Sequence, residues 1–448
     1  MEADRALTGS PVPQAATTAV LTTAATNGLL AVIALATGVL AARLLGPEGR
    51  GLLAAATAVG TVVGAMGALA LGEALVFFVG RQVRPPMVVL RTASLVATGS
   101  TVVLIGVAWV TMPTLLAGQQ EAIGAARAYA FIGLPFVLLG FPVSLIRALQ
   151  RYGLWNVLRL LAPLCWLAAL VLFALAGSRA VTPLVVTFVG LQMLFVPAAW
   201  LLARRQDRAR GRVDLALVKP MLRYGAPLFV ATLPVALNLR FDQLLIANME
   251  SAEQLGLYAV SVSWAGLGLP LMAAIGSVLF PKLAAMEPDA AWATLARSSR
   301  AGVIVAVAIA LMSGLTAPVL VPWLFGRSFA VPVVLPLVLA AATSLLGLNG
   351  IIEEGLRGLE EPRSVLVGEL AGLGVMGLLL FALVPTAGIT GAAVASLVGY
   401  AVVTATLAWR IRIRSLLRVS NLLVPRRGDL QDMARRGRAV ATRRGRRE

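Results

Sequence analysis

An all-α polytopic membrane fold follows from three features of the 448-residue sequence. It is 59% hydrophobic and only 13% charged, with a mean hydropathy of +0.88. Its apolar stretches are long enough to cross a bilayer, and short arginine-rich stretches separate them. A soluble domain carries about 25% charged residues and a single core stops growing near ~250–300 residues, so this composition belongs to a chain that uses lipid as its solvent.

A spanning helix needs about 20 mostly apolar residues. Twelve stretches qualify, predicted at 16–42, 52–79, 87–112, 124–146, 154–176, 182–203, 221–248, 254–280, 300–324, 330–356, 363–384 and 388–410. The first follows a polar, slightly acidic N-terminus and is too long for the h-region of a signal peptide, so it is expected to be retained. It carries Asn27, a residue type that commonly bonds neighbouring helices. The second contains Gly60-Thr-Val-Val-Gly64 and Gly67, a spacing that lets helix backbones approach. The seventh and eighth hold Pro227, Pro234 and Pro270. Each such proline frees a carbonyl that a neighbouring helix or a wet cavity must satisfy.

Orientation follows from arginine, of which there are 36 against two lysines, giving a net charge of +18. Arg81, Arg84 and Arg91 follow span 2, and Arg147, Arg151 and Arg159 surround the end of span 4. Arg204, Arg205, Arg208, Arg210, Arg212, Lys219 and Arg223 follow span 6, and 13 arginines lie from Arg410 onward. The alternate loops are arginine-poor. The positive-inside rule places both termini in the cytoplasm, which only an even span count allows.

The two halves repeat. Glu48, Gly51, Leu52 and Ala54 match Glu253, Gly256, Leu257 and Ala259 at a constant offset of 205 residues. Arg147-Ala-Leu-Gln150 and Arg357-Gly-Leu-Glu360 match at 210. Six spans return the chain to its starting side, so the repeats are parallel, about an axis along the membrane normal. The expected organisation is a cytoplasmic N-terminal segment (1–15) and a six-helix lobe (16–203). A basic linker (204–220), a second six-helix lobe (221–411) and a basic cytoplasmic tail (412–448) follow. Rocking of two such lobes permits alternating access.

Charge inside the membrane costs about 2.5–3.5 kcal/mol per residue even on the permissive scale, which singles out a few side chains. Span 7 reads Asn238-Leu-Arg240-Phe-Asp242-Gln243. Arg240 and Asp242 sit two apart and point to nearly opposite sides, so at least one must meet another helix or water. Asn238 shares a face with Asp242, and Arg240 with Gln243. A cavity site and an interhelical ion pair are both open here. Span 10 ends with Asn349, Glu353, Glu354 and Arg357, where Glu353 and Arg357 are placed for a local pair, expected to be solvated. Arg147 is similar. Glu73 lacks a local partner and is expected at the cytoplasmic mouth, and Glu369 in span 11 is comparable.

Several chemistries are excluded. With no histidine, imidazole bases, Ser-His-Asp triads and His-ligated zinc are out. Cys165 is the one cysteine, so disulfides and thiolate metal sites are out as well. No metal and no cofactor is expected. Only Asp242 among seven aspartates lies in a span and no DxD-type pair exists, which argues against an enzyme such as a metal-dependent glycosyltransferase. No aromatic residue interleaves the arginines from Arg412 on, so the tail reads as headgroup contact with anionic lipids and not as nucleic-acid binding.

The segment Ala41-Ala-Arg43-Leu-Leu-Gly46-Pro47-Glu48-Gly-Arg50-Gly51-Leu52, with Gly72-Glu73-Ala74, resembles the start of polysaccharide biosynthesis proteins. These are O-antigen-type flippases of the multidrug/oligosaccharidyl-lipid/polysaccharide exporter superfamily. Tyr224-Gly225-Ala-Pro227, Arg240-Phe-Asp242 and Leu255-Gly256-Leu-Tyr258-Ala259 resemble the opening of the family's second half, and Gly388-Ile-Thr-Gly391-Ala-Ala its last span. The resemblance implies two six-helix bundles around a central cavity in the bacterial cytoplasmic membrane. It implies a polyprenyl-pyrophosphate-linked oligosaccharide as substrate, with a proton or sodium ion as coupling partner and a glycan polymerase or glycosyltransferases as neighbours. Arg240, Arg147 and Arg357 are then the candidates for the pyrophosphate, Asn238, Gln243 and Asn349 for sugar hydroxyls, and Asp242 or Glu73 for the coupling ion. An ion-coupled multidrug exporter and a lipid II-type flippase, although that branch often has fourteen spans, are the alternatives.

Overall fold

The computed structural model describes residues 14–116, 120–207, 212–415, 417–426 and 428. Among them helices are the only regular structure, as expected where lipid offers backbone groups no partner. The first, α1 (Gln14–Ala68), is 55 residues long. At 1.5 Å per residue it would reach about 80 Å, far beyond a hydrocarbon core of about 30 Å. It divides at Gly46, whose φ of 69° and ψ of −177° are non-helical. Only glycine enters that region without a Cβ penalty, and Pro47 then supplies the fixed φ of a new first turn. Span 1 thus ends at Gly46. Span 2 begins at Pro47 and continues, after two left-handed residues Leu69 and Ala70, into α2 (Leu71–Gly80).

The first half continues with α3 (Pro86–Leu115), α4 (Gln120–Ala130), α5 (Gly133–Ala148), α6 (Tyr152–Arg159), α7 (Leu161–Leu175) and α8 (Val181–Gln206). The second half contains α9 (Val218–Asn238), α10 (Phe241–Met249), α11 (Ala252–Ala265), α12 (Leu269–Ala284), α13 (Pro288–Phe325) and α14 (Val334–Gly358). It closes with α15 (Pro362–Ser415) and the short α16 (Val419–Leu423). The 54-residue α15 breaks at Gly388, at φ 56°, shortly after Pro385. Among the described residues ten helical stretches are long and apolar enough to cross a membrane. Dividing the two overlong ones at Gly46 and Gly388 gives twelve, in the expected order, and the chain is a multi-pass membrane protein. The clearest difference in bounds is span 9, which starts at Pro288 and not near 300. Arg300, at the predicted start of that span, lies three turns inside the helix and donates to the Asn421 carbonyl of α16 at 2.6 Å.

The linker is only partly within the described residues, and Arg208 and Arg210 lie outside them, as do residues 429–448 of the basic tail. The linker's acids fold back on the start of α3. Asp207 accepts from the Met87 amide at 2.9 Å, and Asp214 pairs with Arg84 at 3.1 Å.

The halves meet through backbone. A Cβ on Gly51 would fall on the Ala252 carbonyl, and a Cβ on Gly256 would fall on the Pro47 carbonyl. The contact is reciprocal, between residues that are equivalent in the 205-residue repeat. Two glycines let the helices touch along their backbones. At the same end Arg43 donates to the Leu324 and Trp323 carbonyls at 2.7 and 2.8 Å, and Asn248 donates to the Leu115 carbonyl at 2.8 Å. Toward the other end Phe77 stacks on Tyr224 with ring centroids 4.2 Å apart. Leu217 and Met221 there are buried among residues of α2, α3 and α5. The start of span 7 therefore packs on first-half helices, although sequence position assigns it to the second half.

Candidate functional site

Beside the Gly51–Gly256 contact lies a cavity of about 590 Å³ between the halves. Spans 1, 2, 7 and 8 contribute to its wall, and Arg50 and Arg240 are its two charged residues. Among the described residues no carboxylate lines it. Arg50 stands in the first turn after Pro47, and its buried Nε has no hydrogen-bond partner among the described residues. Arg50, Arg240 and the Tyr129 hydroxyl lie within electrostatic range of one another. The Tyr129 ring fits because Gly60 has no side chain there. Gly60 and Gly67 are thus packing glycines, Gly67 giving way to Thr101 of α3.

Arg240 reaches the cavity because span 7 is not one continuous helix, a correction to the expected 221–248 span. α9 ends at Asn238, and Arg240 takes φ −136° and ψ −11° before α10 begins. The pairing of faces nonetheless holds. Arg240 donates to the Gln243 amide oxygen at 3.3 Å, while Asn238 and Asp242 are both buried on the side of the second half. Cations in a wall without acids attract anions, and two such arginines can each offer paired N–H donors to a phosphate.

Behind Arg240 runs a buried polar network. Tyr258 donates to Asp242 at 2.6 Å, and the Gln243 backbone N–H donates to the other Asp242 oxygen at 2.7 Å. The Tyr258 hydroxyl also lies 3.4 Å from Ser396. Asn238 donates to the Glu369 carboxylate at 2.5 Å, and Tyr400 donates to the Asn238 carbonyl at 3.2 Å. Asn349 donates to the Tyr400 carbonyl at 3.0 Å and accepts from Thr404 at 2.6 Å. Glu353 and Glu369 are both buried at this end of the network. Arg357 contacts Glu353 at 3.4 Å and Glu354 at 2.5 Å. The solvated pair expected at Glu353 and Arg357 is therefore corrected, since Glu353 is only 4% exposed. None of Asn238, Asp242, Gln243, Asn349, Glu353 and Arg357 lines the central cavity.

The remaining candidates sit in the first half. Glu73 does have a partner, at long range: Arg147 donates to its two oxygens at 2.9 and 3.0 Å. Asn27 accepts from Arg159 at 2.8 Å, an interhelical bond of the kind expected. The sequence reading missed Arg50, Tyr129, Tyr258, Ser396 and Tyr400. For Arg50 a signal was present, because Pro47 marks a helix start and carries Arg50 into the span instead of the preceding loop.

A family profile described as polysaccharide biosynthesis protein matches residues 39–334. No curated protein matches by sequence. Among solved structures, "Lipid II flippase MurJ, inward closed conformation" superposes with a TM-score of 0.72 at 11% identity, over 89% of this chain and 90% of that one. An inward-facing multidrug resistance MATE family transporter of the MOP superfamily gives 0.66 at 16%, over 88% and 98%. An outward-facing conformation of such a transporter gives 0.53 at 16%, over 92% and 97%. The helical fold is thus one found among flippases and multidrug transporters, and the profile spans about two thirds of the chain, so the chain belongs to the polysaccharide biosynthesis protein family.

Proposed function

We propose that this protein is a flippase that moves a polyprenyl-diphosphate-linked oligosaccharide from the inner to the outer leaflet of the bacterial cytoplasmic membrane. In this reading two six-helix lobes, 16–203 and 221–411, rock about the cavity with both termini inside. The Gly51–Gly256 contact is then the outer seal.

The observation that carries the reading is the charge of the cavity. Arg50 and Arg240 face it without an acid in its wall, which favours a diphosphate and disfavours the cationic drugs of a multidrug exporter. Sugar hydroxyls have Thr37, Thr57, Thr61 and Ser263 along the same wall. Asn238, Gln243 and Asn349 stay with the buried network, beside the carboxyls of Asp242, Glu353 and Glu369. That network is the reading's place for a coupling proton or sodium ion, and Arg357 closes its far side. Glycosyltransferases that build the substrate and a polymerase that consumes it are the expected neighbours.

The test is a deletion strain. The lipid-linked oligosaccharide should accumulate on the inner leaflet and return to normal on complementation with the wild-type chain but not with Arg240→Ala. An unaltered leaflet distribution in the deletion strain, with sensitivity to cationic dyes instead, would support the exporter.

A further inference from the structure

A second cavity, of about 380 Å³, lies within the first half, bounded by the broken span 2, α5, α7 and α8. Its walls are mostly apolar, with Leu139 and Val143 on one side and Leu161 on another, and the carboxylate among them, Glu73, is paired with Arg147 at 2.9 Å. Arg159 is at its border. This arginine gives one Nη to Asn27 at 2.8 Å and holds its guanidinium 4.5 Å from the Trp155 ring centre. Its other Nη is buried without a hydrogen-bond partner among the described residues. One residue, Ala162, lines both this cavity and the central one, and it stands a single helical turn after Arg159. An apolar chamber with a cation at its border therefore adjoins a cationic chamber.

We infer that the chamber within the first half seats the isoprene units nearest the diphosphate of the substrate, while Arg50 and Arg240 hold the diphosphate itself. The inference rests on the proposed flippase reading and adds where the chain goes. The shape fits an amphiphile whose anionic head and apolar tail meet at one point, since the two chambers share a wall residue. Arg159, which lines the apolar chamber three residues before the shared Ala162, keeps a spare donor. The apolar walls remove the first methylenes from water, which stabilises binding in proportion to the area buried. A solvated oligosaccharide would leave those walls unmatched, and a cationic amphiphile would meet Arg159.

Gly140 provides the test. It lines this chamber, and a Cβ there meets nothing within 4 Å, so Gly140→Leu fills the chamber without striking a neighbour at its first atom. Binding to the full-length protein in lipid nanodiscs would be measured for farnesyl diphosphate and for inorganic pyrophosphate. Wild type should prefer farnesyl diphosphate. Gly140→Leu should weaken it about tenfold, equivalent to 1.4 kcal/mol, and leave pyrophosphate unchanged. Arg50→Gln should weaken both. A second readout needs no variant: farnesyl diphosphate with a photoreactive group at its chain end should label residues 135–144. Equal affinity of wild type for the two ligands, an unchanged farnesyl affinity in a folded Gly140→Leu, or labelling confined to other helices would overturn the chain site and leave the flippase reading standing. Absence of any diphosphate binding by wild type would sink that reading too.

Discussion

Replacing Gly51 by valine strikes the seal between the halves. A Cβ at Gly51 falls on the Ala252 carbonyl and reaches 3.0 Å from the Gly256 amide nitrogen, inside the 3.4 Å at which ordinary contact begins. The obstruction is backbone, so no rotamer change relieves it and the two helices must part. Overpacking of this kind costs about 1–3 kcal/mol. In the proposed rocking motion the open state parts Gly51 from the Ala252 carbonyl, so the cost falls on the sealed state. The equilibrium should therefore move toward the open state by about 5–150-fold. The assay is thiol labelling from outside the cell, with Thr57→Cys in the cavity wall as reporter and Cys165 replaced by alanine. Labelling should rise in Gly51→Val and in Gly256→Val. The double variant should add little, since both substitutions remove one contact. Unchanged labelling in a folded, membrane-inserted Gly51→Val would refute the seal.

Three more outcomes follow from the same geometry. Arg50→Lys should bind pyrophosphate more weakly than wild type by calorimetry although the charge is kept, because lysine cannot offer paired donors in one plane; equal affinity would show a point charge to be sufficient. Tyr258→Phe should lower stability by about 1–3 kcal/mol in a denaturation series, since buried Asp242 then loses its 2.6 Å donor; no loss would place that carboxyl in water. Ala70→Gly should raise stability by about 1 kcal/mol, because Ala70 sits at φ 53° where glycine carries no Cβ penalty; a lower melting temperature would show that the methyl packing outweighs the strain.

The spans were legible in the sequence because lipid imposes one rule, about twenty apolar residues per crossing, and the described helices follow it closely. Gly46-Pro47 and Pro385 with Gly388 were visible as residues that end or start helices. The repeat was legible as letters, but its consequence was not: nothing in a 205-residue offset says that Gly51 and Gly256 touch. The charged residues of span 7 were found because intramembrane charge is rare. Their partners were not, because Tyr258, Ser396, Tyr400 and Glu369 come from other helices and distance in sequence carries no register. Arg50 was hidden by its place near a helix end, where arginine also serves as a topology signal. Leu69 and Ala70 gave no warning either, since neither residue favours a left-handed conformation.

The central claim is that the cavity between the halves carries an anionic lipid-linked glycan. Proteoliposomes loaded with a fluorescent polyprenyl-diphosphate oligosaccharide measure this directly, through quenching of the outer-leaflet fraction over time. Wild-type protein should equilibrate the lipid between leaflets, while Arg50→Ala and Arg240→Ala, equally inserted, should hold it at the rate of empty vesicles. Equilibration at wild-type rate by the two arginine variants would contradict the account, as would transport of a cationic dye with no movement of the glycolipid.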